Sequence, residues 1–198
     1  MKKVKLGFVA ALSAVVFSGC SIMDMIAPQA NGVIMYGDDA VLQQTIEKHQ
    51  KEIESQNKYE AKFDKFNDQK VLIINKTTAD KLVKEKILRK VDGDNVKPIE
   101  TLPSVSDDTG IVFAKTEQND VTINGKKMKY EGNVIIGDAR KYTDMYAVVS
   151  DTVYSAISAP VKTIGVVEFK ENPKKEIFPD IKRDSKVEEA HMVEIKSK

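Results

Sequence analysis

The sequence predicts an α+β protein. It reads as a long N-terminal amphipathic helix, a short second helix, a small antiparallel β-meander of roughly four to six strands, and a disordered, charged C-terminal tail. Three observations carry this. Apolar residues Leu42, Ile46 and Ile53, with His49 between them, recur at heptad-like spacing. From Gly110 onward the apolar period falls to two, with Asn124-Gly125 between two alternating runs. The last 29 residues, Lys170 to Lys198, hold eight basic and seven acidic side chains and only scattered hydrophobes. Overall, 41% of the 198 residues are apolar and 31% charged, enough hydrophobe for one core and too much charge for a membrane channel.

In chain order, Lys2, Lys3 and Lys5 precede an apolar run from Leu6 to Phe17, interrupted by Gly7 and Ser13. Twelve residues are too few for a spanning helix, which needs about 20, and suit the apolar core of a signal peptide. Phe17, Ser18 and Gly19 then lead into Cys20, the single cysteine of the chain.

This stretch resembles a bacterial lipoprotein signal, with Phe17-Ser18-Gly19-Cys20 as the lipobox. Phe17 stands where the class usually has Leu. The resemblance implies cleavage after Gly19, diacylglycerol on the Cys20 thiol and acylation of the new amino group. It also implies that the membrane is a partner through that lipid. Two or three acyl chains hold a protein essentially permanently, since each buried CH2 contributes about 0.8 kcal/mol. Ser21 follows, and in enteric-type sorting the absence of Asp there implies a periplasm-facing anchor in the outer membrane. Loss of residues 1–19 leaves 179 residues with 28 basic and 30 acidic side chains. That near-neutral balance, and the lack of a basic stripe, speak against nucleic acid as a partner.

Residues 20–37 read as a lipid-anchored tether, punctuated by Pro28, Asn31, Gly32 and Gly37. Within it, Val33 to Tyr36 is either a short strand or a membrane-proximal sticky segment. Residues 38–68 read as the long helix, opened by Asp38 and Asp39, which complement its dipole. Glu47–Lys51 and Glu54–Lys58 stand as i,i+4 pairs. Leu42, Ile46, His49 and Ile53, continued by a rotated stripe of Tyr59, Phe63 and Phe66, form its candidate interaction face. Residues 69–169 read as a β-rich domain. It holds a buried strand at Val71 to Ile74, a helix from Ala79 to Val91 capped by Thr78, and a hairpin at Asn124-Gly125. Further strands fall at Ile111 to Phe113, Val134 to Ile136 and Val161 to Phe169. Met145 to Val149 and Val153 to Ile157 are strand or helix. Residues 170–198 read as the tail, in which His191 to Ile195 is a possible further edge strand.

No catalytic or cofactor signature accompanies this organisation. One cysteine and two histidines exclude the usual zinc sets. No G-x-S-x-G elbow, P-loop or G-x-G-x-x-G is present. Asp92-Gly93-Asp94-Asn95 lacks the sixth-position Gly and twelfth-position Glu of a calcium loop. The expectation is therefore no cofactor, no metal and no enzyme. It is a structural or assembly lipoprotein that binds another envelope protein or itself. The alternative is a carrier of lipid or a small apolar ligand in a curved meander.

Overall fold

Gly32–Gly37 is a strand, β1, and all six of its residues are buried. The computed structural model, which describes residues 30–195, seats it between two partners. On one side lies β11, Val161–Phe169, with Gly32 opposite Glu168; on the other lies β12, Glu189–Val193, with Gly32 opposite Val193. Four apolar side chains in succession fit a strand buried on both faces.

The described chain is 43% strand and 19% helix, which replaces the expected α+β architecture with a mostly β one. The long helix is not formed. Helix α1 covers Asp39–Lys48, a turn follows, and Ile53–Phe66 is the 14-residue strand β2. The reason lies in the second half of the segment. Tyr59, Ala61 and Phe63 alternate with polar residues, a period of two that pairs β2 with β11 from Lys62 back to Ile53. The Glu54–Lys58 pair is not helical either, since Lys58 Nζ reaches Asp39 at 2.7 Å. The tail is ordered too. Ile177–Arg183 is a helix and Glu189–Val193 is β12, the edge strand allowed for at His191.

Strand β2 turns through Asn67-Asp68, both at positive φ, into β3, Gln69–Asn75. Helix α2, Lys76–Lys84, is capped by the Asn75 side chain, which accepts from the Thr78 amide at 2.7 Å; Thr78 itself does not cap. A small antiparallel sheet contains β4 (Leu88–Asp92), β5 (Asn95–Pro98) and β9 (Val134–Ile136), in the order β5-β4-β9. Strands β6 (Thr109–Ala114), β7 (Thr122–Ile123), β8 (Lys126–Tyr130) and β10 (Met145–Val149) complete the large sheet. Asn124-Gly125 is the two-residue turn of the β7–β8 hairpin, with both φ angles positive. Helix α3 is Asp151–Ala156 and α4 is Ile177–Arg183.

The large sheet runs β12-β1-β11-β2-β3-β10-β6-β8-β7, nine strands. It is mixed rather than an antiparallel meander, because β3 pairs parallel with β10 and β6 with β8. Its first four strands interlock two split β-α-β units. One is β1-α1-β2 with β11 between its strands; the other is β11-α4-β12 with β1 between its strands. That is the ferredoxin-like arrangement, and residues 67–160 form one long insertion in it. Three apolar clusters cover the sheet. One, centred on Ile34, Leu72, Phe113 and Tyr146, packs under α2 and the small sheet. The second gathers Val71, Val112, Met145 and Val153. The third joins Val33, Met35, Leu42, Ile46, Val167 and Ile181 beneath α1 and α4.

Strand β12 is a sheet edge in name only. The Arg89 guanidinium, 8% exposed, donates to Asp138 and to the Glu194 carbonyl, and Asp138 accepts from the Glu194 amide. His191, 2% exposed, places Nε2 3.3 Å from the Ile136 carbonyl, so Nε2 carries the proton and Nδ1 is left without a partner. Gly137, at φ +73°, lets this segment approach; a Cβ there would lie 2.4 Å from Ile34 Cδ1 and 2.9 Å from His191 Nε2.

Two predictions follow from this seal. Gly137→Ala combines a left-handed backbone with overpacking and is expected to cost about 2–4 kcal/mol, read as a lower urea midpoint at unchanged slope. Burial pushes the His191 pKa down to about 4. Its folded pKa lies below the unfolded value near 6.5, so its neutral state stabilises the fold fully above about pH 6.5. As pH falls toward about 4 the unfolded chain alone takes up the proton, and about 3 kcal/mol is lost. Equilibrium unfolding of His191→Leu across the same range should show a shallower pH dependence.

Candidate functional site

The seven residues of the expected helical face do not share a face. Leu42 and Ile46 lie in the cluster beneath α1 and α4, and Ile53 joins them from the start of β2. Tyr59 and Phe63 lie on the opposite side of the sheet; Phe63 stands 5.5 Å from the Tyr142 ring. Phe66 packs on the cluster containing Val71 and Met145. Helical spacing would align these side chains, whereas a strand distributes them to both faces. Leu42, Ile46, Ile53 and Tyr59 are therefore core, with Phe63 and Phe66 packed against it. Cys20 and the lipobox residues Phe17, Ser18 and Gly19 lie outside the described residues.

His49 closes α1 and places Nε2 3.0 Å from Asp180 Oδ2, while Lys48 Nζ lies 2.6 Å from the same oxygen. The Lys48 ammonium holds the Asp180 carboxyl below the usual carboxylate range. These residues tie α1 to α4 beside a cleft of about 930 Å³, also lined by Lys51, Glu52, Lys170 and Arg183. Its walls carry both signs of charge. That is unlike the apolar cavity a lipid carrier requires. Among the described residues no group of three or more His, Cys, Asp or Glu side chains is placed to hold a metal ion.

The exposed main chain lies elsewhere, on β2. Glu54, Ser55, Gln56, Asn57 and Lys58 are all exposed. Strand β11 pairs with one side of this stretch, but β3 pairs with β2 only from Lys62 to Phe66. The Phe63 amide donates to the Pro160 carbonyl at 2.9 Å, so odd-numbered residues turn their main-chain groups toward β11. The N–H and C=O of Gln56, Lys58 and Glu60 therefore point to the other side, where no strand among the described residues pairs with them.

The flanks of this open edge are fixed. The Tyr59 hydroxyl donates to Glu85, and Asn57 Nδ2 donates to the same carboxylate at 3.1 Å. Burial and the Glu85 carboxylate raise the Tyr59 pKa above its ordinary value. At the far end, Lys62 is buried and donates to the Tyr154 and Ile157 carbonyls at 2.7 and 2.8 Å, capping the end of α3. The alternation Tyr59-Ala61-Phe63 behind a polar run was the available sequence signal for this strand. That its second side is unpaired was not visible there.

The alternation is testable by proline scanning. Gln56→Pro and Lys58→Pro remove an amide that bonds to nothing in the sheet, and stability should stay within about 1 kcal/mol of the parent. Asn57 pairs with Val166 of β11. Asn57→Pro removes a ladder amide and should cost about 3 kcal/mol or more in urea unfolding.

A family model described as an uncharacterised lipoprotein family matches residues 30–196. The crystal structure of a Bacillus anthracis protein described as a lipoprotein superimposes with a TM-score of 0.83. The two sequences are 67% identical over 84% of this chain and 100% of that one. None of the curated proteins matches. The matched region is the whole described domain, β1 through β12, so the likeness extends well past the leader. The chain belongs to this uncharacterised lipoprotein family of the bacterial cell envelope.

Proposed function

We propose that the mature chain is a non-catalytic, lipid-anchored envelope domain that takes up an extended segment of another envelope protein along β2. The unpaired main chain at Gln56, Lys58 and Glu60 carries this reading. A strand added there gains main-chain hydrogen bonds without displacing any part of the fold. The polar side chains from Glu54 to Lys58 keep such an edge soluble while it is empty. The opposite edge of the ferredoxin-like half is sealed by Arg89 and Asp138.

The anchor is the lipid on Cys20. In an envelope with two membranes, Ser21 directs it to the outer membrane, facing the periplasm. In one with a single membrane, as in Bacillus, it holds the domain at the outer face of the cytoplasmic membrane. The Bacillus relative favours the second. Two experiments test the proposal. Cys20→Ser should move the protein from the membrane to the soluble fraction; unchanged fractionation would remove the anchor. A photo-crosslinking residue at Lys58 in intact cells should give an adduct that Gln56→Pro abolishes at unchanged protein level. The adduct mass separates a different protein from a second copy, and no adduct, or one insensitive to Gln56→Pro, would rule out docking on this edge.

A further inference from the structure

We propose that the end of the domain where its chain enters and leaves lies against the bilayer, with the charged cleft facing the lipid headgroups. The inference rests on the Cys20 anchor of the preceding proposal and adds an orientation to it.

Strands β1 and β2 both begin at this pole, and β11 and β12 both end there: Gly32 pairs with Glu168 and with Val193, and Ile53 pairs with Phe169. The two ends of the described chain are tied together. Asn31 accepts from the Ile195 amide at 2.7 Å and donates to the Ile195 carbonyl at 3.0 Å. Gly32 allows this closeness, since a Cβ there would lie 2.4 Å from Ile195 Cδ1. Ala30 is 1% exposed, so the leader meets the domain at a fixed point.

Only ten residue steps separate Cys20 from Ala30. Fully extended they reach at most about 35 Å. Strand β2 alone carries the chain about 45 Å, from this pole at Ile53 to the opposite one at Phe66. The tether is thus shorter than the domain, and it emerges beside the cleft. Lys170 donates to the Lys51 carbonyl at 2.8 Å across that pole, linking the end of β11 to the turn before β2. The cleft walls carry Lys51, Lys170 and Arg183 alongside Glu52, Glu171 and Glu176. That balance suits a headgroup layer carrying both phosphate and ammonium, and does not depend on net positive charge.

Cys20 is the single native cysteine, and the proposed thioether leaves it unreactive, so an introduced cysteine can be labelled alone. Lipidated Glu171→Cys and Lys65→Cys, each carrying an environment-sensitive fluorophore, would be floated with phosphatidylcholine vesicles containing nitroxide-headgroup lipid. A second set would contain added phosphatidylglycerol. The Glu171 label is expected to be quenched at least about threefold more than the Lys65 label. The ratio should be the same in both vesicle types and insensitive to salt. Equal quenching, or stronger quenching at Lys65, overturns the orientation. Quenching at Glu171 that appears only with phosphatidylglycerol and is lost in salt overturns the claim that the tether, and not charge, sets it. Flotation reads the anchor separately: a full chain that does not float carries no lipid, and the orientation falls with the anchor.

Discussion

The pairing of β1 with β11 and β12 organises the molecule. Gly32 meets partners 136 and 161 residues away along the chain, at Glu168 and Val193, and every residue of the strand is buried. Such contacts close long loops and are costly in entropy until the whole set forms. Once made, they decide where the leader departs, where the chain ends, and which way α1 and α4 cross the sheet. Without β1, β11 and β12 would have no common neighbour, and the cluster of Val33, Met35, Leu42 and Val167 would open to water.

Strand β2 makes the second decision. Fourteen residues long, it belongs through its first part to the ferredoxin-like half and through its last part to the insertion. The two halves share one sheet because this strand is longer than either partner that flanks it. The open stretch from Gln56 to Glu60 is a geometric consequence: β3 ends at Asn75 and α2 begins, so that among the described residues no strand pairs with the rest of β2 on that side. Exposed polar side chains make that edge tolerable in water, and the same main-chain groups make it available.

Buried and half-buried cations pin the loops between these elements. Arg140 donates to the Phe113 carbonyl at 3.1 Å and the Val134 carbonyl at 2.6 Å while its guanidinium lies 4.9 Å from the Tyr146 ring centre. Lys62 closes α3, and Arg89 closes the β12 edge. Each satisfies several carbonyls or a carboxylate that would otherwise be buried without a donor, which costs about 1–3 kcal/mol apiece. Buried ion pairs contribute little net stability against an apolar alternative, so their effect here is on register and edge geometry.

Local chemistry was legible in the sequence. The charged and apolar leader, the strands at Val71 to Ile74, Ile111 to Phe113 and Val161 to Phe169, and the Asn124-Gly125 turn all depend on residues within a few positions of one another. The helix assigned to residues 38–68 shows where such reasoning ends. Tyr59, Phe63 and Phe66 satisfy an i,i+4,i+7 spacing, while Tyr59, Ala61 and Phe63 satisfy a period of two, and only the presence of β11 chooses between them. The same holds for the tail, where scattered hydrophobes Ile177, Ile181 and Val193 find their partners on α1 and β1 and become core. The sequence by itself determined the lipoprotein class, the turns and the isolated apolar strands. The tertiary structure decided that Gly32–Gly37, read as the end of a tether, is a strand buried between two others, and that among the described residues one side of β2 stays open, because main-chain pairing joins segments whose separation carries no local trace.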